Sequence, residues 1–374
     1  MAQRQIRILH VLGTLNPGGV ETWLMHVLRN IDRNKFHLDF CTFGEEPGLY
    51  APEVERLGST VLWCRKSANI WAFGRRFRGI LRDGKYDVVH SHVHYFSGAV
   101  LRWAKAEGVP MRIAHSHTIN DGKPDEWMRR QYRRLMKLWI DRYATHGLAA
   151  SKPAAVALFG KHWQNDGRFR VLYYGIDLRP FQEPVDRDTV RMELGLPIDV
   201  PVVGHVGRFV EVKNHRFLLE VAAEILRQRP GIHFLLIGDG PLRPETESRA
   251  RLMGISTNVH FLGARTDVPR LMRGAMDAFV FPSLWEGLPV TVIEAQAAGL
   301  SCILSDAVTS EVSILPKQTY RLPLSKGAEE WAEKTIHILE PGRIVSDSAL
   351  QAVAQSGFCI RRSGISELYL RARE

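Results

Sequence analysis

Two glutamates eight residues apart, Glu286 and Glu294, lie in the run FPSLWEGLPVTVIEAQAAG between Phe281 and Gly299. An apolar segment, Ala278 to Phe281, ends just before Pro282 and Ser283, and helical spacing begins near Pro289, so the run reads as strand, loop and helix. Gly287 lets the loop backbone lie close to a ligand. Pro289 suits a first helical turn, and the free N–H groups of that turn can hold a phosphate. Eight residues amount to roughly 80° of net rotation at the helical period, so a helix starting near Pro289 leaves Glu286 on the loop and carries Glu294 about a turn and a half inside. Carboxylates accept hydrogen bonds from hydroxyls and repel phosphates. A pair flanking one anion site therefore fits a ligand with hydroxyl-rich groups on both sides of a phosphate, which is the shape of a sugar nucleotide. On spacing alone, a capped loop and a surface helix with two solvated glutamates fit the same string.

Other residues could serve such a ligand. After the strand-like run VVGHVGRF, Gly207-Arg208 and then Lys213 put two cations near a strand's carboxyl end, where they could neutralise a diphosphate or simply be solvated. In the first half, IRILHVLG runs into Pro17-Gly18-Gly19 and then a helical pattern with Trp23, Leu24, Val27, Leu28 and Ile31. That loop is either a backbone approach to a phosphate or sugar, or a plain turn. His90, His92 and His94 follow one strand candidate, and His115 and His117 another. Any one of them can be a polar residue finishing a strand. No carboxylate stands near them at ligand-like spacing, which argues against a metal centre.

Phe-Pro-Ser, Glu286-Gly287, Pro289, Glu294-Ala295, Ala297 and Gly299 together resemble the signature of retaining glycosyltransferase family four, whose fold is GT-B: two Rossmann-like domains facing a cleft. The resemblance implies that Glu286 contacts the donor sugar, Glu294 the ribose, and backbone amides at Gly287 and Leu288 the diphosphate. Arg208 and Lys213 match the family's diphosphate cations, Gly18 and Gly19 its cleft-facing glycine loop, and His117 in RIAHSHT its histidine near the transferred sugar. HFLLIGDGP, with Gly238 and Gly240, and the turn at Gly263 resemble loops near the nucleotide. Two departures stand out: Ser301, where the family usually has proline, and Tyr174 in YYGIDLRPF, where it has asparagine. The first half most resembles enzymes of bacterial exopolysaccharide and capsule assembly. By resemblance the activity is metal-independent transfer of a hexosyl unit, with retention, from a nucleotide-diphosphate sugar, UDP being the commonest base, to a glycan or lipid-linked acceptor. No cofactor is implied. The rivals are a sugar-nucleotide epimerase of the same fold and a non-catalytic nucleotide-sensing or membrane-surface protein. A Rossmann oxidoreductase is disfavoured, because no strand runs into the full dinucleotide fingerprint.

These residues need a frame. Strand candidates at Leu38–Phe43, Thr60–Cys64, Asp87–His90, Arg112–His115 and His146–Ala150 alternate with helical segments, and the pattern resumes at Val202, so two doubly wound parallel sheets are expected. The expected divisions are an acceptor-binding domain over residues 1–180, a linker over 181–200, a nucleotide-sugar domain over 201–351, and a C-terminal helix over 352–374 crossing back to the first. A chain of 374 residues that is 45% hydrophobic suffices for two cores. No apolar run is long enough to span a bilayer and the first apolar segment reads as a strand, so a cytoplasmic protein is expected. Cys41, Cys64, Cys302 and Cys359 are too dispersed for a zinc site and are expected to be free thiols.

The net charge of +10 divides unequally, with +11 over residues 1–185 and −1 over the remainder. Such asymmetry points to an anionic surface. In WMRRQYRRLMKLWIDRY, Met128, Tyr132, Leu135 and Trp139 share one face, with Arg129, Arg130, Arg133, Arg134 and Lys137 around it. Trp71, Phe73, Phe77 and Ile80 alternate with Arg75, Arg76, Arg78 and Arg82. Both segments suit the inner face of an anionic membrane, although the apolar stripes could equally be core. Nothing favours nucleic acid.

Overall fold

The computed structural model describes residues 4–44, 46, 48–64, 70–119, 124–340, 347–362 and 364–373. The chain forms two compact units, Met1–Gly175 with Ile360–Glu374, and Ile176–Cys359.

The first unit is built on strands β1 (Ile6–Leu12), β2 (Phe36–Thr42), β3 (Val61–Trp63), β4 (Val88–Ser91), β5 (Met111–Ser116), β6 (His146–Ala149) and β7 (Phe169–Val171). All pair in parallel, in the order β3-β2-β1-β4-β5-β6-β7. Helices α1 (Gly19–Asn30), α2 (Ala51–Arg56), α3 (Ile70–Gly84), α4 (Ser97–Ala106), α5 (Trp127–Tyr143) and α6 (Lys152–Phe159) connect them. The strand order reverses at β1 and β4, the place in a doubly wound sheet where ligands bind beyond the strand ends. β1 is central, and five of its seven residues are aliphatic, as a strand covered on both faces requires.

The second unit repeats the plan with β8 (Val202–Val206), β9 (His233–Ile237), β10 (Val259–Phe261), β11 (Ala278–Phe281), β12 (Ser301–Ser305) and β13 (Thr319–Leu322), in the parallel order β10-β9-β8-β11-β12-β13. Its helices are α7 (Arg187–Glu193), α8 (His215–Gln228), α9 (Arg243–Leu252), α10 (Val268–Gly274), α11 (Val290–Ala297), α12 (Gly327–Leu339) and α13 (Asp347–Gln355). The reversal here lies between β8 and β11. A last helix, α14 (Ile365–Leu370), belongs to the first unit. The two doubly wound units are those of the GT-B fold expected from the sequence.

The residues expected as linker, 181–200, carry α7 and cluster with the second unit. Asp277, just before β11, receives Arg187 at 2.5 Å, Arg191 at 2.6 Å and the Val202 amide at 2.8 Å, which fastens α7 to the sheet.

The basic helices differ in which face they bury. On α3, Phe73, Phe77 and Leu81 are core, and Arg78 and Arg82 pair with Glu107; the side chain of Trp71 lies outside the described residues. On α5 the face that shares Met128 and Leu135 is not core: both are exposed, together with Trp127 and Leu138, and the buried residues are Met136 and Ile140. Gly98 on α4 permits this packing: a Cβ there would meet the Met136 carbonyl oxygen at 2.5 Å, so glycine lets α5 approach along the Met136 side. Cys41, Cys64 and Cys302 are buried and Cys359 is partly so, all as free thiols. Among the described residues no helix is long and apolar enough to cross a membrane.

Candidate active site

In the second unit the loops after β8 and β11 form the site. The first runs through Gly207, Arg208 and a single turn of helix, Glu211–Lys213, to the start of α8. Asn214, in the left-handed conformation that asparagine tolerates, donates from Nδ2 to the Pro282 carbonyl at 3.2 Å. The Leu284 amide donates to the Val212 carbonyl at 2.8 Å. These bonds hold the two loops together and bring Lys213 Nζ to 2.5 Å from Glu286 Oε1, both side chains being largely buried. The ammonium also lies 4.6 Å from the Phe281 ring centroid, a cation–π contact. Gly238 and Gly240 close the loop from the β9 side. Gly238 has φ +142, and a Cβ on it would lie 2.0 Å from the Gly207 carbonyl oxygen, so only glycine passes there.

Gly287 and Leu288 are buried, and α11 begins at Val290 with Pro289 as its cap, one residue later than the spacing suggests. No side chain caps it; in its first turn the Val292 amide bonds back to the Pro289 carbonyl at 3.1 Å. Glu294 lies inside this helix and is buried. Arg208 is exposed. His205 on β8 escaped sequence reasoning, hidden in an otherwise apolar strand. Its Nδ1–H donates to the Val280 carbonyl at 2.9 Å, which leaves Nε2 a lone pair, and burial holds the ring's pKa down to about 4.

In the first unit, Gly18 caps α1 and Gly19 begins it. His117 follows β5 and lies in a cluster with three of the other strand-end histidines noted in the sequence and with His10, which was not. His10 on β1, His90 on β4, His92 just beyond it and His115 on β5 share the side of the sheet on which Trp23 of α1 packs, and all four are buried. His10 stands in register with His90 in the parallel ladder. The missed signal was His10 itself, a polar residue in mid-strand. Desolvation holds His10 down to about 3, and His117 to about 3 with help from His94. His90, His92 and His115 lie well below the ordinary range through burial and then through one another's charge. His117 is part-buried as a residue, and both its ring nitrogens are committed, Nε2 to His92 Nδ1 at 2.8 Å and Nδ1 to the Tyr174 hydroxyl. Tyr174, the departure from the family's asparagine, stacks on Trp23 with centroids 4.9 Å apart. The nitrogens of His10, His90 and His92, and those of His92, His115 and His117, lie within 4.8 Å in each group, close enough to hold a metal ion.

Thus Lys213 and Glu286 meet directly, Gly287, Leu288 and Glu294 line the same loop and helix, and Arg208 follows the neighbouring strand. Gly18, Gly19 and His117 belong to the first unit.

Comparison with known proteins places the chain in a family. A family model described as Glycosyltransferase Family 4 matches residues 17–179, and one described as Glycosyl transferases group 1 matches residues 200–341. The putative glycosyltransferase EpsF of Bacillus subtilis is 35% identical over 362 residues, 96% of this chain and 94% of that protein. An Escherichia coli UDP-Gal:alpha-D-GlcNAc-diphosphoundecaprenol alpha-1,3-galactosyltransferase is 29% identical over 235 residues, 61% of this chain and 59% of the other. Among solved structures, Anabaena Alr3699/HepE in complex with UDP and glucose superposes with a TM-score of 0.76 at 18% identity, covering 99% of each chain, a likeness of fold.

Proposed function

The chain belongs to glycosyltransferase family 4, whose members use nucleotide-sugar donors, and from that premise we propose that it transfers a hexosyl unit with retention from a UDP-sugar to a lipid-linked glycan in surface-polysaccharide assembly. The observation that carries this reading is the Lys213–Glu286 pair. A cation suited to phosphate and a carboxylate suited to hydroxyls sit one contact apart, just as phosphate and sugar are adjoined in the donor. Bond cleavage puts negative charge on the diphosphate, and Arg208, Lys213 and the first turn of α11 are the groups to take it. Lys213 needs little reorganisation, since Glu286 and the Phe281 ring already hold it. Glu286 and His117 serve the sugar, where positive charge develops, and Glu294 the ribose. Gly18 and Gly19 let the backbone come close to the donor. With no covalent nucleophile assigned, the leaving phosphate helps to accept the proton of the attacking hydroxyl on the same face.

A lipid-linked acceptor, as in the name of the Escherichia coli relative, asks for a membrane-facing surface. Helix α5 supplies one. Trp127, Met128 and Leu138 are 66%, 75% and 65% exposed, with Arg130 and Arg134 exposed beside them. Basic residues attract anionic headgroups, and the apolar side chains can enter the interface. The site is thus proposed to work at the inner face of the membrane.

Thermal shift against UDP-, GDP- and ADP-sugars identifies the base, and incubation with lipid diphosphate glycans followed by NMR of the new anomeric centre reads transfer and stereochemistry. Stabilisation by a UDP-sugar and a retained configuration are expected. Release of free nucleotide and altered sugar without any acceptor would favour the epimerase instead.

A further inference from the structure

The histidine cluster is one unbranched hydrogen-bonded chain. The Tyr174 hydroxyl meets His117 Nδ1, and His117 Nε2 meets His92 Nδ1 at 2.8 Å. His92 Nε2 meets His10 Nδ1 at 3.0 Å, and His10 Nε2 meets the Tyr369 hydroxyl at 3.4 Å. That hydroxyl meets His90 Nδ1 at 2.8 Å, and His90 Nε2 meets His115 Nδ1 at 3.0 Å. His115 Nε2, buried and without a partner, ends the series.

A neutral imidazole has one donor and one acceptor, whereas a phenol hydroxyl has one donor and two lone pairs. Between the two tyrosines, every link through His117, His92 and His10 can then be made only if the three rings point the same way. Either Tyr174 donates to His117 Nδ1 and the polarity passes on until His10 Nε2–H donates to the Tyr369 oxygen, or Tyr369 donates to His10 Nε2 and the polarity runs back to the Tyr174 oxygen. A single reversed tautomer sets two protons or two lone pairs against each other inside a low-dielectric core, at the cost of a lost buried hydrogen bond. An imidazolium breaks the chain in the same way, because it has two donors. Burial, which keeps all five rings neutral, is therefore what keeps the chain intact.

We propose that Tyr174, His117, His92, His10 and Tyr369 form a tautomer-locked wire that sets the orientation and proton position of His117, and that Tyr369 of α14, three links away, is a positioning residue for it. The proposal rests on His117 being the residue at the transferred sugar only for its consequence in catalysis; the wire itself does not. It gives the C-terminal segment a task in the first unit, since the Tyr369 hydroxyl is the link between the His10 and His90 branches. It also accounts for tyrosine at position 174. An asparagine there would need a different partner geometry, whereas the stacked phenol reaches His117 from Trp23. A metal is the competing use of the same nitrogens. Ligand atoms around a four-coordinate ion with bonds of about 2.0 Å lie about 3.3 Å apart and face a common centre. Here the imidazole pairs are 2.8–3.0 Å apart with donor facing acceptor, the geometry of hydrogen bonds.

The test is nitrogen-15 NMR of the imidazoles in the ligand-free protein, comparing wild type with Tyr369→Phe. The wire predicts one tautomer for His117 in the wild type, and changed His117 ring-nitrogen shifts in the variant although Tyr369 does not touch His117. Phe36→Leu, which alters packing on the Tyr369 ring without removing a polar link, is the control and should leave His117 unchanged. With donor and acceptor present, Tyr369→Phe should lower kcat about tenfold or more, the usual cost of removing a histidine's orienting partner, with the donor KM kept. Identical His117 shifts in a folded Tyr369→Phe protein would overturn the wire. So would equal effects from Phe36→Leu, or uptake of one equivalent of Zn²⁺ that moves all five imidazoles together. Changed shifts with unchanged turnover would keep the wire and reject His117 as the residue at the sugar.

Discussion

At the scale of residues, Lys213 and Glu286 depend on each other. Removing the ammonium leaves a largely buried carboxylate unpaired beside the place proposed for the diphosphate, so Lys213→Ala removes an attraction and exposes a repulsion together. Affinity for UDP should fall by about 1.5–3 kcal/mol, the range of charge-assisted contacts, as read by calorimetric titration. Unchanged affinity would remove Lys213 from the donor site. Glu286→Gln keeps the shape and loses the charge; nucleotide should still bind while transfer falls by about a hundredfold or more. Because the two residues touch, the double variant should deviate from additivity, and a strictly additive pair would mean that the contact does not operate in the bound state. Glu286 and Lys213 could be named from the sequence because each stands in a motif of fixed spacing. Their 2.5 Å contact could not, since 73 residues separate them and it is the β8–β11 pairing that sets their loops side by side.

Among the elements, α5 and α7 make opposite points. Apolar periodicity on α5 was legible, but which face packs depends on its neighbours, with Gly98 on a different helix admitting the close approach at Met136. Exchanging Arg129, Arg130, Arg133 and Arg134 for glutamine should cost several kcal/mol of affinity for anionic vesicles, at about 1 kcal/mol for each basic residue near the surface. Flotation reads this directly, and equal recovery on neutral and anionic vesicles would leave the exposed Trp127 and Leu138 without a membrane role. For α7 the deciding contact is Asp277 with Arg187 and the buried Arg191. Asp277→Ala strands a buried guanidinium and should destabilise the second unit by about 3–5 kcal/mol in denaturant unfolding. A loss below about 1 kcal/mol would show that the backbone carbonyls around Arg191 carry the site alone.

Over the whole molecule, the buried histidines make stability depend on pH. His10 and His117 are held down to about 3 and His205 to about 4, against an ordinary value of about 6.5. Between those values the unfolded chain binds more protons than the folded one, so stability rises with pH. Each such ring gives its full contribution above about pH 6.5, loses it as the pH falls towards the folded value, and at pH 5 has cost about 2 kcal/mol. With three rings at these values, and His90, His92 and His115 shifted in the same direction, the melting temperature should drop steeply below pH 6. His10→Phe should flatten that slope. A flat melting profile from pH 7 to pH 5 would mean that these rings are not held neutral in the folded state.

Two parallel sheets and the loops with Gly207, Gly238 and Gly287 were determined by the sequence alone. Apolar runs, turn glycines and short motifs are local properties that no distant contact needs to complete. Only the tertiary structure decided what faces what. His90, His92, His115 and His117 at strand ends each look like solvated polar residues, and it is the order β2-β1-β4-β5, with mid-strand His10 in register with His90, that gathers the five into one cluster. Tyr369, 279 residues from its partner His90, enters that cluster only because the last segment belongs to the first unit. Burial and pairing are properties of the packed chain, and a neutral imidazole, a desolvated lysine or an outward-facing tryptophan has no signature in the order of residues that precedes packing.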